Sequence, residues 1–358
     1  MSLDDIRRRI DAIDDELLEL LEQRARLAKR IAEEKHKLGQ AMHDPERERA
    51  VLRHVEEKAA ARKDSIFPVT GLRAIFREIM SSCLSLEEPQ TVAYLGPEGT
   101  FSHIAARTAF GNGARYVALP TIAAVVEAVA RDTVNYGIAP IENSTEGSVT
   151  ATLDALLESD IMIRGELVIP VEHCLLAKTA DISAIRRVYS HPQPFAQCRG
   201  WLARNLPNVE LVATSSTVTA AQAAANDESA AAIGSRVSAE LYDLLLLREG
   251  IQDRPENATR FFVLAKHDAP QKENSKTSLV FSTPHARGAL RRALEVFDDE
   301  GLNLTRIESR PAPGRRWEYV FVTELEGHRL DSPVQRALDR LRTICSTVRV
   351  LGSYPRSE

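Results

Sequence analysis

Apolar residues recur at intervals of three and four along the first forty positions of the chain. They are Leu3, Ile6, Ile10, Ile13, Leu17, Leu20, Leu27 and Ile31. This spacing is typical of helices that pair along one face. It predicts a helix of about 35 residues, about 50 Å long. Two shorter helices predicted at 44–61 and 69–86 cannot cover so long a stripe. Residues 1–90 are therefore expected to form an all-α helical domain that dimerises with a second copy of the chain.

Three cations stand out in this helical segment. Arg24 interrupts the apolar stripe, and Lys35 lies eleven residues later, close to the same face. Arg7 lies seventeen residues before Arg24, about 25 Å along the axis, so one small ligand cannot contact Arg7 and Lys35 of the same helix. In an antiparallel dimer the partner's Arg7 would return to this region. The alternative is that all three are solvated surface charges.

After Pro89 the pattern changes to short apolar runs that alternate with Ala-rich helices. Residues 91–268 are expected to form an α/β domain of mostly parallel strands, with two lobes and a cleft. Strands are predicted at 91–95, 116–119, 136–141, 161–169, 188–190, 211–214, 230–233 and 261–265. Ligands of such folds bind at the carboxyl ends of the strands, beside helix N-termini.

Four polar motifs lie at the ends of these predicted strands. They are GPEGTFS at 96–102, PIENS at 140–144, SHPQPFAQC at 190–198 and NATRF at 257–261. The first lacks the lysine of a phosphate-binding loop, which argues against a nucleotide. His191 in the third has no second ligand at metal spacing. Each motif alone is a weak signal, and the ordered set of four is a strong one.

The last eighty residues alternate in the order βαββαβ. Strands are predicted at 276–283, 304–309, 317–324 and 348–354, and helices at 286–299 and 333–344. This order is typical of the ferredoxin-like α+β fold. Residues 276–354 are therefore expected to form a third domain.

Composition agrees with a multidomain globular protein. The 358 residues are 44% hydrophobic and 27% charged, with a net charge of −5. No overall positive charge favours nucleic acid, and no apolar run reaches the length of a membrane span. The charged N-terminus resembles no signal peptide, and four scattered cysteines form no disulfide or zinc pattern. A cytoplasmic protein without a metal is expected.

The helical segment resembles the all-helical chorismate mutase family. The matching residues are Arg7, 10–14, 17–18, 20–21, Arg24, Lys35, 44–49 and 75–80. The resemblance implies that Arg24, Lys35 and the partner's Arg7 hold the carboxylates and ether oxygen of chorismate. It also implies that three residues of the second helix line the pocket, the first and last of them at the substrate hydroxyl. They are Asp44, Arg47 and Glu48.

One position departs from the enterobacterial pattern, in which a glutamine donates to the ether oxygen. The matching residue here is Glu87, or Leu84 under a shifted alignment, and Cys83 replaces a small hydroxyl residue. A carboxyl group donates only when protonated. Mutase activity is therefore expected to fall as pH rises, and Glu87→Gln is expected to remove this dependence. The alternative is that Glu87 is a solvated linker residue.

The four motifs of the middle segment together resemble prephenate dehydratase, which implies a two-lobed fold similar to that of periplasmic binding proteins. The dehydratase reaction removes water and CO₂ from prephenate to give phenylpyruvate. The resemblance implies that Thr259 is essential and that Arg260 pairs with a substrate carboxylate. Thr259 would donate a hydrogen bond to the departing oxygen, with Glu142 as an alternative proton source. Further substrate contacts are implied for Asn143, Ser190, Gln193 and Gln197.

The C-terminal segment resembles the ACT regulatory domain, through residues 288–290 and 308–311. The resemblance implies a phenylalanine pocket between paired domains. Its residues would be Ala289, Leu290, Leu302, Asn303, Leu304, Glu308, Ser309 and Arg310. Phenylalanine would then shift the catalytic cleft to a less active state, as feedback control requires.

The sequence therefore predicts an enzyme with chorismate mutase and prephenate dehydratase activities under phenylalanine control, using no cofactor. A homodimer or a tetramer is expected. One alternative is a two-lobed small-molecule sensor with a helical dimerisation segment. Another is an enzyme that keeps one activity only.

Overall fold

The computed structural model describes residues 2–38, 45–62, 66–87, 90–312 and 318–357. The chain divides into two compact units. One contains residues 1–91 with 107–115, and the other contains residues 92–106 with 116–358. The predicted segments 91–268 and 276–354 thus share most of the second unit.

The first unit is built on three helices: α1 (Leu3–Lys37), α2 (Pro45–Ala60) and α3 (Val69–Glu87). The 35-residue α1 confirms the length predicted from the apolar spacing. Helix α3 packs against both α1 and α2. The apolar stripe of α1 nevertheless remains uncovered, because its members from Leu3 to Ile31 are 44% to 63% exposed.

The middle of the chain forms two sheets with their surrounding helices. The elements are β1 (Thr91–Leu95), α4 (Phe101–Phe110), β2 (Arg115–Leu119), α5 (Ile122–Ala130), β3 (Tyr136–Asn143), β4 (Gly147–Ser148), α6 (Thr150–Leu157), β5 (Met162–Pro170), β6 (Cys174–Ala177), β7 (Arg187–Ser190), α7 (Pro192–Gln197), α8 (Arg199–Asn205), β8 (Glu210–Ala213), α9 (Thr217–Ala225), β9 (Ala230–Gly234), α10 (Arg236–Leu241), β10 (Leu245–Arg248) and β11 (Ala258–Ala265). A short 3₁₀ turn lies at Ile182–Ala184.

The two sheets define two lobes. The first lobe holds the sheet β2–β1–β3–β11–β5, with β4 paired to β3, and the second lobe holds β10–β6–β9–β7–β8. Each lobe has its own apolar core. The chain crosses between the lobes after β5 and returns before β11. The two-lobed α/β fold predicted from the sequence is confirmed.

The expectation of mostly parallel strands is wrong. Strands β1 and β3 are parallel, as are β7 with β8 and β9. The pairs β11–β3, β11–β5, β10–β6 and β6–β9 are antiparallel. The reason is the double crossing. Strand β11 returns from the second lobe and enters the first sheet against the direction of the strands beside it. Both sheets are therefore mixed.

The C-terminal segment has the predicted βαββαβ order. Its elements are β12 (Ser275–Ser282), α11 (Ala289–Asp299), β13 (Leu304–Pro311), β14 (Tyr319–Glu326), α12 (Ser332–Ile344) and β15 (Thr347–Pro355). They form a sheet in the order β13–β14–β12–β15, called the C-terminal sheet below. Helix α11 begins at Ala289, three residues later than predicted. The residue before it, Gly288, has a φ of +75°, a conformation outside the helix.

Both faces of the C-terminal sheet are covered. Leu279 and Phe281 of β12 pack under helices α11 and α12. Val280, between them, points to the other face and joins the core of the first lobe. All eight residues of β12 are buried, although most are polar. The two segments therefore pack as one body.

Candidate active sites

The first candidate site is a pocket of about 250 Å³ among the three N-terminal helices. Four of the residues predicted to hold chorismate line it, Arg24, Lys35, Arg47 and Glu48, together with Cys83, whose contact with substrate was left open. Apolar side chains such as Ile31 and Met80 complete the wall. Three cations and one carboxylate thus meet at a partly apolar pocket, which suits a compact dianion that also bears a hydroxyl group.

Arg24 is held inside this pocket by helix α3. Its guanidinium donates to the Cys83 sulfur at 2.8 Å and to the Ile79 carbonyl at 3.5 Å. Cys83 is 7% exposed. Contacts to a cysteine sulfur and a backbone carbonyl fix the direction of the guanidinium, and neither of these partners is a carboxylate. Arg24 therefore keeps its positive charge available to an anionic ligand.

One further predicted residue lies away from this pocket, and two others fall outside the described part of the chain. Arg7 lies near the start of α1, 67% exposed and 3.5 Å from Asp4. Its predicted role requires a second chain and stays a prediction. Asp44 and the side chain of Glu87 lie outside the described residues.

The second candidate site lies where β3 and β11 pair in the first lobe. Thr259 stands directly opposite Asn143 in the register of the two strands. The Asn143 amide donates to the Thr259 hydroxyl at 2.9 Å and to the Asn257 side chain at 3.0 Å. Because the Thr259 oxygen accepts this bond, its own proton remains available for another acceptor.

A hydrogen-bond chain extends this site into the second lobe. Gln197, the last residue of α7, accepts from Asn257 at 3.1 Å and donates to Thr145 at 3.3 Å. Its carbonyl oxygen also lies 2.7 Å from His173 Nε2. Asn143 accepts from Thr145 in turn. Two of the predicted residues, Asn143 and Gln197, are thereby linked to Thr259 from opposite lobes.

His173 is the main residue of this network that was not predicted from the sequence. It is 2% exposed, and burial lowers the pKa of its imidazole while the Gln197 bond opposes the shift. The neutral ring donates from Nε2, so Gln197 is held with its amide group towards Thr145. The signal in the sequence was a lone histidine three residues after the strand β5. Thr145 and Asn257 were missed, although Thr145 directly follows the PIENS motif and Asn257 is the first residue of NATRF.

Two other predicted residues, Ser190 and Gln193, lie at the end of β7 and the start of α7 and do not join this hydrogen-bond chain through the contacts that follow. Ser190 is fully buried and its hydroxyl donates to the Ile233 carbonyl at 3.3 Å. The backbone amide of Gln193 donates to His191 Nδ1 at 3.3 Å, which caps α7. Their predicted substrate contacts stay predictions.

Glu142 and Arg260 face away from Thr259. They stand opposite each other one step along the same strand pair, and neighbouring residues of a strand point to opposite faces. Arg260 donates to Glu142 at 2.8 Å, and also to Glu166 and Glu324. The structure therefore does not bring Arg260 or Glu142 to the face that carries Thr259. Their predicted substrate roles stay untested.

The residues predicted for phenylalanine fall into two groups in the C-terminal segment. Ala289, Leu290, Leu302 and Leu304 lie in or beside the core under the helices. Glu308 and Arg310 point to the first lobe, where they bond to Ser148 at 2.5 Å and to Asp154 at 2.7 Å. Asn303 and Ser309 are exposed.

Within the described ranges, no group of three or more acidic, histidine or cysteine side chains is arranged to hold a metal ion. The helices in that part of the chain also include none long and apolar enough to cross a membrane.

Three family models match the chain in succession. Residues 6–88 match the model described as chorismate mutase type II, residues 92–269 match prephenate dehydratase, and residues 277–343 match the ACT domain. The order of these matches is that of the three segments distinguished above, and the ACT match ends before strand β15.

Relatives and solved structures agree with the family models. A bifunctional chorismate mutase/prephenate dehydratase of Aquifex aeolicus is 45% identical, over 99% of this chain and 98% of its own. A prephenate dehydratase from Arthrobacter aurescens, solved in complex with L-Phe, is 36% identical with a TM-score of 0.69, over 74% of this chain and 90% of its own. A structure described as a novel type of quorum quenching acylase is 31% identical, also with a TM-score of 0.69, over 75% of this chain and 98% of its own.

Proposed function

Because the chain belongs to the family of bifunctional chorismate mutase/prephenate dehydratases, we propose that the two candidate sites carry one reaction each. The enzyme rearranges chorismate to prephenate and then converts prephenate to phenylpyruvate, with loss of water and CO₂. The helical pocket is assigned to the first reaction, and the Thr259–Asn143 site to the second. Neither reaction needs a cofactor on chemical grounds.

The mutase reaction is a pericyclic rearrangement, which needs no nucleophile and no proton transfer. A pocket accelerates it by holding the reactive conformer and by stabilising negative charge at the breaking C–O bond. Arg24 and Lys35 supply positive charge for the carboxylates and the ether oxygen. Glu48 supplies an acceptor for the hydroxyl group, and Arg47 completes the pocket wall.

The dehydratase reaction breaks two bonds of prephenate. The ring hydroxyl leaves as water after it gains a proton, and the electrons of the C–CO₂ bond enter the ring as CO₂ departs. The Thr259 oxygen accepts a hydrogen bond from the Asn143 side-chain nitrogen, so the Thr259 hydroxyl proton can be donated to the leaving oxygen. Asn143, Gln197 and Asn257 fix the position of this hydroxyl group.

One observation carries the assignment: four residues predicted to hold chorismate line a single pocket. The test supplies the purified chain with chorismate and separately with prephenate, and measures phenylpyruvate by its absorbance in base. Product from both substrates is expected. Binding of both compounds without turnover would identify a sensor. Phenylpyruvate from prephenate but not from chorismate would identify an enzyme with dehydratase activity only.

The oligomer we propose is a dimer through α1. The exposed apolar stripe of α1 supports it, because so long a row of Leu and Ile side chains is rarely left in water. A second α1 in antiparallel orientation would cover the stripe and bring the partner's Arg7 to the pocket. A pairing of C-terminal segments in addition is compatible with a dimer or with a tetramer.

Feedback control by phenylalanine is proposed for the C-terminal segment. The match to the ACT domain supports it, as does the related dehydratase solved with L-Phe. Glu308 and Arg310 lie on the strand β13 and contact the first lobe, so a ligand that moves this strand also acts on the catalytic lobe. The proposed effect is a shift towards a less active state.

A cytoplasmic location is proposed on the basis of cysteine chemistry. All four cysteines are free thiols, and Cys83, Cys174 and Cys198 are buried. Burial raises the pKa of Cys198 to about 12, which keeps the thiol protonated and unreactive. Free thiols are typical of reducing compartments. Cell fractionation with an antibody to the chain tests this location.

A further inference from the structure

The buried His173 side chain is connected to all four polar motifs of the middle segment. Its ring packs edge-on against Phe101 of GPEGTFS, with 6.0 Å between the ring centroids and 79° between the ring planes. Its Nε2 lies 2.7 Å from Oε1 of Gln197, in the motif SHPQPFAQC. Gln197 in turn bonds to Asn257, the first residue of NATRF, and to Thr145, the residue after PIENS. A residue outside every motif thus joins them.

The backbone of His173 is held from both sides. It lies between β5 and β6, where the chain first crosses between the lobes. Its amide donates to the Gln252 side chain at 2.9 Å, and its carbonyl accepts from the Ile251 amide at 3.0 Å. Both partners belong to the segment that leads back to β11. The imidazole therefore projects from a fixed point between the two crossings, which suits a group that orients another side chain.

The direction of each hydrogen bond in this network follows from two backbone amides. The N–H groups of residues 145 and 146 donate to Oδ1 of Asn143 at 3.0 and 3.2 Å. The Asn143 nitrogen must then donate to the Asn257 oxygen, and the Asn257 nitrogen must donate to Oε1 of Gln197. Gln197 therefore presents an acceptor to the imidazole. His173 must carry its hydrogen atom on Nε2.

The other ring nitrogen of His173 explains why this state persists. The residue is 2% exposed, and its Nδ1 is buried with no hydrogen-bond partner among the described residues. A second proton would place an N–H group there without an acceptor, which is costly in a buried site. Burial also lowers the pKa of the ring. The side chain is thus a neutral donor aimed at Gln197.

Gln197 depends on this donor more than on its other contacts. The 2.7 Å bond from His173 is shorter than the bonds of 3.1 to 3.3 Å that join Gln197 to Asn257, Thr145 and Glu146. A glutamine side chain has several rotatable bonds, and loss of its shortest contact frees it to turn. Its links to both strands of the Thr259 site would then loosen.

We propose that His173 is a positioning residue of the dehydratase site, which orients Gln197 as a neutral hydrogen-bond donor. This rests on the proposed role of Thr259. His173 contacts no reacting atom in this assignment and acts through Gln197 and Asn257 on the pair Asn143–Thr259. Small misplacements of reacting groups lower rates strongly, so the effect belongs in kcat.

The test replaces the donor and keeps an aromatic ring beside Phe101. His173→Phe in the full chain, without phenylalanine, is expected to lower dehydratase kcat by about 5–20-fold. The KM for prephenate is expected to stay within about threefold. The matched control is His328→Phe, which removes another buried histidine, 1% exposed and with its Nε2 3.2 Å from the Ala269 carbonyl oxygen. That variant should keep its kcat.

A second pair of variants separates the donor from the packing. His173→Gln keeps an N–H group that can reach Gln197, whereas His173→Met has a similar length and no donor. The glutamine variant is expected to recover about half or more of the lost rate, and the methionine variant is expected to recover none. This comparison is made below the melting temperature of both, so it decides the matter even if His173→Phe unfolds.

Two results would overturn the proposal. One is equal kcat in His173→Gln and His173→Met, and the other is a rise in KM for His173→Phe without a change in kcat. The outcome is separable from that of the proposed function. Wild-type dehydratase turnover in Thr259→Ala refutes the role of Thr259 and the basis of this proposal. An inactive Thr259→Ala chain beside a fully active His173→Phe chain refutes the positioning role alone.

Discussion

At the scale of single residues, the dehydratase site depends on the direction of one hydrogen bond. The Asn143 side-chain nitrogen can only donate, so the Thr259 oxygen must accept and its proton must point elsewhere. A threonine hydroxyl is a weak acid, but a positioned donor still stabilises charge on a leaving oxygen. Thr259 therefore acts by placement rather than by acidity.

Thr259→Ala removes this donor and is expected to lower dehydratase kcat by about 10²–10³-fold. Thr259→Ser keeps the hydroxyl group and is expected to retain most of the activity. Steady-state rates with prephenate measure both variants, and the mutase rate of each preparation controls for folding. Near-wild-type turnover of the alanine variant would contradict the role given to this hydroxyl group.

The side chain of Arg260 lies on a face of β11 whose surroundings could not be predicted from the sequence. The NATRF motif predicted a site at the start of β11, and Thr259 lies at that place in the fold. Thr259 and Arg260 are neighbours in one strand, as are Glu142 and Asn143, so each pair divides between two faces. The alternation was readable in advance. The partners of Arg260 on the second face could not be predicted, because one of them, Glu324, belongs to the C-terminal sheet.

At the scale of elements, helix α1 was the most predictable part of the chain. Its apolar spacing gave both its length and its exposed stripe, because local periodicity determines them. Strands β6 and β10 were missed. Both are short leucine-rich runs without β-branched residues, and such runs do not distinguish a strand from a helical segment, whereas β7 and β8 of the same length were predicted.

An antiparallel α1 dimer has a consequence for mixed subunits. Arg7→Ala and Arg24→Ala should each abolish most mutase activity, because every site then lacks one cation. Unfolding and refolding the two variants together should restore about one quarter of the wild-type rate, since half of the dimers are hybrids with one intact site. The rate of chorismate consumption measures this. No recovery in the mixture would show that Arg7 acts within its own chain or not at all.

Strand β13 links the proposed phenylalanine response to the first lobe. Glu308 bonds to Ser148, which pairs with Glu142 in the register of β3 and β4. Glu308→Ala is expected to raise the phenylalanine concentration for half-inhibition by about 5–150-fold, the usual range of allosteric coupling. The measurement is the ratio of inhibited to uninhibited dehydratase rates. Glu326→Gln is the control, and an equal response in both variants would refute the site.

At the scale of the whole molecule, the C-terminal sheet and the first lobe meet at very short range. Gly352 of β15 lies so close to β5 that an added Cβ would stand 2.2 Å from the Ile163 carbonyl oxygen. Only glycine fits between these two backbones. The close approach explains why polar strands such as β12 are completely buried.

Gly352→Ala is expected to destabilise the protein by about 1–3 kcal/mol, because the two strands must separate to admit the methyl group. The melting temperature should fall by several degrees. Gly165→Ala is the matched control on β5, since its Cβ would make only an ordinary contact at 3.6 Å with Val263. Equal melting temperatures for the two variants would show that the strands separate freely.

The covered face of the C-terminal sheet limits how a deregulated enzyme can be engineered. Cutting the chain before Ser275 is the direct way to remove the proposed phenylalanine inhibition. It would also expose Phe262, 1% accessible beneath Tyr354, and leave Glu166 without its lysine. Such a truncation should yield protein that is less stable and more prone to aggregation. Point substitutions along β13 offer the better route, because they leave the contact between the C-terminal sheet and the first lobe intact.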